Sequence, residues 1–190
     1  FLSTLKEPYR AEGKKTMGLE LVEQLGWRWP SVVIYPTGGG TGIVGMAKAD
    51  AELRALGLID GPPPRFVVVQ AEGCAPLVRA FHNRDRHAAP WENPVTEANG
   101  LRVPGTIGDH LILEALYAHG GTAVTVSESA MRRARMDLGR RAGLYVAPEA
   151  AATWAAALQL RQANWLRAED DVVLFLTGNG FKYPWTEEGT

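Results

Sequence analysis

Val32-Val33-Ile34-Tyr35-Pro36-Thr37-Gly38-Gly39-Gly40-Thr41-Gly42 is a short apolar, β-rich run that breaks into four glycines within five residues, followed by helix-compatible sequence from Ile43 to Leu56. A strand that feeds a glycine turn and then a helix N-terminus aims several backbone N–H groups, and the positive end of a helix dipole, at one spot. That spot favours an anion. Glycine serves twice there: it reaches positive φ at little cost, and without a Cβ it lets phosphate oxygens approach the main chain. A purely structural turn needs fewer glycines, so the stretch reads as a phosphate- or carboxylate-binding loop.

Working outward, helical and extended patterns alternate. Lys14 to Leu25 carries Met17, Leu21, Val22 and Leu25 at helical spacing, and Val32 to Tyr35 is a buried strand. After the Ile43–Leu56 helix, Gly61-Pro62-Pro63-Pro64 breaks the chain, and Phe66 to Gln70 is a second buried strand. Ala75 to Asn83 predicts a helix, Arg84 to Asn99 a polar surface loop, Ile107 to His119 a helix and Thr122 to Val126 a third strand. Ser127 caps a helix running to Arg141, Glu149 to Ala163 is Ala-rich and helical, and Asp171 to Leu176 is a fourth strand. This alternation predicts an α/β fold, a mostly parallel twisted sheet with helices on both faces.

Ligands of such sheets sit beyond the carboxyl ends of the strands. The first strand runs into the glycine loop, and the fourth into Thr177-Gly178-Asn179-Gly180-Phe181-Lys182, again small and polar. If the two strands are parallel neighbours, one loop holds a phosphate while Thr177 offers a hydroxyl to a ring; alternatively Thr177 bonds only its own turn. Gly40-Thr41-Gly42-Ile43-Val44-Gly45 satisfies the dinucleotide pattern G-x-G-x-x-G, but the acidic residue about 20 positions on is missing and a proline break intervenes. No G-x-x-x-x-G-K-[ST] occurs.

Composition narrows the class further. The 190 residues carry a net charge of −1 and 46 % hydrophobic content, enough for one core and no invitation to a polyanion. Cys74 is the single cysteine, which excludes an internal disulfide and favours a reducing compartment. No apolar run approaches the ~18 residues of a membrane span and no leader opens the chain, so a cytoplasmic protein is expected. The chain starts at Phe1 and reads as a piece of something longer.

Five segments, taken in order, resemble threonine synthase, a pyridoxal-phosphate enzyme of fold type II, the tryptophan-synthase-like fold. They are Glu7 to Thr16, Tyr35 to Gly42, Gln70 to Pro76, Ala147-Pro148-Glu149 and Thr177 to Gly180. The resemblance covers Ser3 to Lys182 and matches the C-terminal part of that enzyme. It implies residues 1–13 as a linker from a missing N-terminal portion, 14–182 as the α/β cofactor-phosphate domain and 183–190 as a frayed tail. Residue by residue, it implies that the amides of Gly38, Gly39, Gly40, Thr41 and Gly42 cradle the 5′-phosphate of pyridoxal 5′-phosphate, and that Thr177 faces the pyridine nitrogen. Arg10 matches the arginine that grips the substrate phosphate, where a planar, permanently charged fork fits a phosphate dianion. Thr4, upstream of it, adds a hydroxyl.

The implied reaction converts O-phospho-L-homoserine and water to L-threonine and phosphate, by a cytoplasmic homodimer whose partners are small phosphorylated amino acids and not nucleic acid or membrane. The lysine that bonds the cofactor lies upstream in this family, in a Ser-Phe-Lys setting. Lys6, Lys14, Lys15, Lys48 and Lys182 have no such context, so no catalytic residue is assigned here and the chain alone is expected to be inactive. Relatives that share the glycine loop, cysteate synthase or a serine/threonine dehydratase, are the alternative enzymes, and a non-catalytic phosphate-ligand-binding domain is the alternative of another kind.

Several residues carry plainer expectations. Ala150 stands where the family has a glycine, and Trp154 reads as core packing. His82, His87, His110 and His119 have no partner at metal-ligand spacing, so no metal is expected. Cys74 reads as a buried, inert thiol. Arg132-Arg133-Ala134-Arg135 with Arg140-Arg141 reads as the solvated face of an amphipathic helix.

Overall fold

The computed structural model describes residues 5–183. Strands β1 (Val32–Pro36), β2 (Arg65–Ala71), β3 (Thr122–Val126) and β4 (Val172–Leu174) form one sheet in the order β3-β2-β1-β4, every neighbouring pair parallel. Six α-helices are present among the described residues: α1 (Tyr9–Gln24), α2 (Thr41–Ala55), α3 (Pro76–Asn83), α4 (Asp109–Ala118), α5 (Glu128–Ala142) and α6 (Pro148–Gln162).

The sheet is covered on both faces, which is why β1 and β2 read as unbroken apolar runs and not as alternating ones. Side chains of a strand alternate between faces. Val32, Ile34, Val67 and Val69 join α5 and α6 in one core, while Val33, Tyr35, Phe66 and Val68 join α2, α3 and α4 in the other. A fully buried side chain such as Phe66 or Ile34 contributes roughly 1.5–3 kcal/mol through burial alone. Helix α6 buries Ala150, Ala151, Ala152, Ala155, Ala156 and Ala157, whose single methyls let its backbone lie close over β1, β2 and β3. Helix α5 starts where Ser127 Oγ accepts from the N–H of Ala130 (3.2 Å) and stops at Gly143, whose φ is 67°.

Three boundaries differ from the sequence reading. Helix α1 begins at Tyr9, not Lys14, because a Glu7 carboxylate oxygen accepts from the Tyr9 N–H (2.6 Å) and Glu12 of the first turn pairs with Lys15 (2.6 Å). Arg10 therefore stands on a helix and not in a linker. Strand β4 shrinks to Val172–Leu174: among the described strands it pairs with β1 alone, and Leu176 is already exposed. Tyr183, assigned to the tail, is tied in, since its carbonyl oxygen accepts from Arg135 (3.0 Å) and its hydroxyl donates to Glu149 (2.6 Å).

Candidate functional site

The carboxyl ends of β1 and β4 open on the same edge. Thr37 marks the root of the glycine loop and is fully buried; its N–H donates to Val69 O (2.8 Å) and its hydroxyl to Tyr35 O (2.9 Å). Gln70, also fully buried, donates from Nε2 to Thr37 O (3.2 Å), while its Oε1 accepts from the N–H groups of Leu77 (2.9 Å) and Val78 (3.2 Å). One amide thus clamps the loop to β2 and to the start of α3.

Beyond Thr37 the main chain is bare. Gly40 caps α2 in the left-handed region (φ 71°, ψ 7°), with no side-chain cap and no acidic residue in the first turn. The first helical bond is Val44 N–H to Gly40 O (3.2 Å), and among the described residues nothing accepts from the N–H groups of Gly39, Gly40, Thr41 or Gly42. Gly40, Thr41 and Gly42 are buried, and Gly39 is the half-buried one. Buried donors without partners cost free energy, and a run of them at a helix N-terminus fits a phosphoryl group. The residues present therefore fit the phosphate end of a cofactor. Side chains are barred from the loop by its neighbours: Gly38 lies beneath Gly100 O and Val103, Gly40 against Ile112, and Gly42 against the Tyr35 ring.

A second layer covers this loop. The turn at Asn99–Leu101 is held by Glu149 at the start of α6, whose Oε1 accepts from Gly100 N–H (2.7 Å) and from the Tyr183 hydroxyl (2.6 Å). Thr106 Oγ1 donates to Gly38 O (3.3 Å). Burial, then the neighbouring Glu149 carboxylate, pushes the Tyr183 phenol above its usual range, so it stays a donor. Sequence reasoning assigned no role to Gln70, Gly100, Glu149 or Tyr183. The signals available were a glutamine closing an apolar strand and the place of Gln70 and Glu149 in two of the segments that carry the family resemblance.

Strand register places Thr177. Ile34 pairs with Leu174, and the Phe175 N–H donates to Ile34 O (3.0 Å), so Thr177 emerges level with Thr37 on the adjacent strand. It is exposed. The following turn is fixed through Ala147 N–H to Gly178 O (3.0 Å) and Gly180 N–H to Tyr145 O (2.9 Å). Helix register places Arg10. Gly45 lies against Lys14, and Gly18 against Met46 and Ala49, so α1 and α2 run parallel and Arg10, about one turn before Lys14, reaches the N-terminal end of α2. Arg10 is exposed there. Thr4 lies outside the described residues.

Other expectations sort themselves by contact. Lys15 and Lys48 form a four-membered ion network with Glu12 and Glu52 at 2.6 to 3.1 Å. Those partners raise both ammonium pKa values, the opposite of what an amine nucleophile needs. Cys74 is buried, which pushes its thiol up. Arg132 pairs with Glu97, but Arg135 is no solvated residue: it donates to Val146 O (3.0 Å) and Tyr183 O (3.0 Å). The structure also joins what spacing kept apart, bringing His87, Asp109 and His110 together. A groove of about 680 Å³ between the 5–8 segment, α1, α2 and α4 is lined by none of the glycine-loop residues. No described helix is long and apolar enough to cross a membrane.

Comparison with known proteins adds an independent line. The family model described as "Pyridoxal-phosphate dependent enzyme" matches residues 1–178. Threonine synthase of Methanocaldococcus jannaschii is 33 % identical over 177 residues, 93 % of this chain and 44 % of that protein. Threonine synthase of Methanosarcina acetivorans is 34 % identical over 94 % of this chain and 44 % of its own length. The chain thus spans less than half of these curated relatives. Among solved structures, a threonine deaminase from T.th. superposes with a TM-score of 0.72 at 28 % identity, covering 91 % of this chain and 59 % of that one. An L-serine ammonia-lyase from Rhizomucor miehei, at 21 % identity and a TM-score of 0.73 over 89 % of this chain and 51 % of its own, shares the fold.

Proposed function

We propose, for a chain that belongs to the pyridoxal-phosphate dependent enzyme family, that it is the phosphate-gripping part of a threonine synthase acting on O-phospho-L-homoserine. The observation that carries the reading is the run of unpartnered N–H groups from Gly39 to Gly42 at the N-terminus of α2, on the carboxyl edge of a parallel sheet. Threonine synthases among the relatives supply the reaction.

In this reading, pyridoxal phosphate when bound supplies an electron sink for proton removal from the amino acid. The chain's own work is binding and orientation. Gly38 to Gly42 hold the cofactor phosphate by main-chain N–H groups, with the α2 dipole behind them. Thr177 directs its hydroxyl at the ring nitrogen; a hydroxyl, unlike a carboxylate, does not hold that nitrogen protonated, which suits elimination and replacement at side-chain carbons. Arg10, at the other anion position, holds the substrate phosphate through a guanidinium fork. Two separate anion positions at one end of α1 and α2 favour a phosphorylated substrate over a simple dehydratase, which needs one. The second reading, a serine/threonine dehydratase, draws on the 28 % identity to a threonine deaminase.

Full-length protein carrying this sequence decides between them. With O-phospho-L-homoserine it is expected to release phosphate and L-threonine together. Release of ammonia and a 2-oxo acid from L-threonine, with phosphohomoserine untouched, would replace the first reading by the second. Arg10→Ala is expected to raise KM for phosphohomoserine by at least about tenfold, with the cofactor absorbance unchanged.

A further inference from the structure

We propose that His87, Asp109 and His110 form a binding site for one divalent transition-metal cation of the zinc class, apart from the cofactor-phosphate loop. Asp109 and His110 are the first two residues of α4, and His87 comes from the loop after α3, so the chain folds back across twenty-odd residues to bring them together. One ligand atom from each residue can be chosen so that all three lie within 4.8 Å of one another.

The carboxylate is fixed in advance. Its side chain is 10 % exposed, its Oδ2 accepts from Ala88 N–H (2.6 Å), and its Oδ1 accepts from His110 N–H (2.7 Å). Toward that same Oδ1 the two imidazoles present Nδ1 atoms at 3.3 Å for His87 and 3.5 Å for His110, with ring centroids 5.5 Å apart and planes inclined by 48°. Those separations are long for a charge-assisted hydrogen bond, which closes to about 2.7–2.9 Å. Both match the edges of a tetrahedron whose ligands stand about 2.0–2.2 Å from a central ion, which are about 3.3–3.6 Å.

The donor set selects the class of ion. Two imidazoles and one carboxylate suit zinc, cobalt, nickel or copper, whereas magnesium and calcium demand oxygen shells that the histidines cannot supply. Three protein ligands leave a position for water. Entry is open, because the His87 side chain is 66 % exposed and that of His110 37 %. Occupancy links the 84–99 loop to α4 just after Thr106, the residue that donates to Gly38 O, and so braces the layer over the glycine loop. A ligand that binds the folded state alone also raises the melting temperature as its concentration rises above Kd.

The test uses tag-free, chelator-stripped protein titrated with Co2+, read by its visible d–d bands, and with Zn2+ by calorimetry. One cation per chain is expected for each, with no heat from Mg2+. His87→Ala and His110→Ala, both at exposed rings, are each expected to weaken Co2+ binding by at least about tenfold, whereas His82→Ala leaves it unchanged. The proposal is overturned if the unaltered protein gives no saturable Co2+ signal, or if its binding survives both His87→Ala and His110→Ala.

Discussion

The backbone carbonyl of Gly100 lies against the Cα of Gly38, leaving no room for a side chain between the covering turn and the glycine loop. Gly38→Ala must therefore push its new Cβ against the Gly100 carbonyl oxygen, main chain that cannot rotate away, and against the Val103 side chain. Destabilisation of about 1–3 kcal/mol is expected, together with a loss of pyridoxal-phosphate affinity of at least about tenfold as the loop shifts. Urea unfolding and a cofactor titration measure the two effects; an unchanged affinity would detach Gly38 from the cofactor.

Glu149 has two donors converging on one oxygen, Gly100 N–H and the Tyr183 hydroxyl. Removing a buried acceptor costs the desolvation of every donor it leaves behind, whereas removing one donor costs a single bond. Glu149→Ala is therefore expected to destabilise by about 2–4 kcal/mol and Tyr183→Phe by about 0.5–1.5 kcal/mol. Glu149→Gln keeps an amide oxygen in place and falls between them. Equal losses for Glu149→Ala and Tyr183→Phe in chemical denaturation would contradict this apportioning.

Most of the scaffold was legible in the sequence because it rests on local signals. Apolar runs marked β1 and β2, Ser127 marked the start of α5, and four glycines before a helix-compatible stretch marked the anion-binding end of α2. What escaped depends on chain closure. The contact of His87 with Asp109, the seat of Gly100 on Gly38 and the tie from Tyr183 to Glu149 join residues 22 to 62 positions apart, and no local pattern encodes such pairings. The helical setting of Arg10 escaped for a different reason: proline and two charged residues mask a helix start that Glu7 and an ion network with Lys15 and Lys48 stabilise.

His119 packs against Phe66, with ring centroids 4.9 Å apart and planes inclined by 43°, and burial holds its imidazole pKa below the ordinary 6.5, with Asp50 and a hydrogen bond to the Pro64 backbone opposing and Arg54 assisting. The unfolded chain then takes up its proton first as pH falls. Stability is therefore intact above about pH 6.5, declines below it, and levels off beneath the depressed folded value. His119→Gln, which cannot titrate, is expected to show a smaller fall in urea midpoint between about pH 7.5 and about pH 5.5 than the unaltered chain. An equal fall would assign the pH dependence to other groups.

Gly18 and Gly45 set how closely α1 and α2 approach, and through that spacing the position of Arg10. An added Cβ on Gly18 meets Ala49 Cβ at 2.8 Å and Met46 Cα at 3.3 Å; on Gly45 it meets the Lys14 carbonyl carbon at 2.7 Å. Alanine gains about 1 kcal/mol in helix propensity over glycine, but overpacking a close contact costs about 1–3 kcal/mol. The clash at Gly45 is with main chain, which cannot rotate away, so Gly45→Ala is expected to lose net stability and to lose more than Gly18→Ala. Because the helices are parallel, widening them at Gly45 moves the N-terminal end of α1, where Arg10 stands. KM for phosphohomoserine should then rise in the full-length Gly45→Ala protein while the cofactor absorbance holds. A variant with lowered stability and unaltered KM would show that Arg10 takes its position from elsewhere.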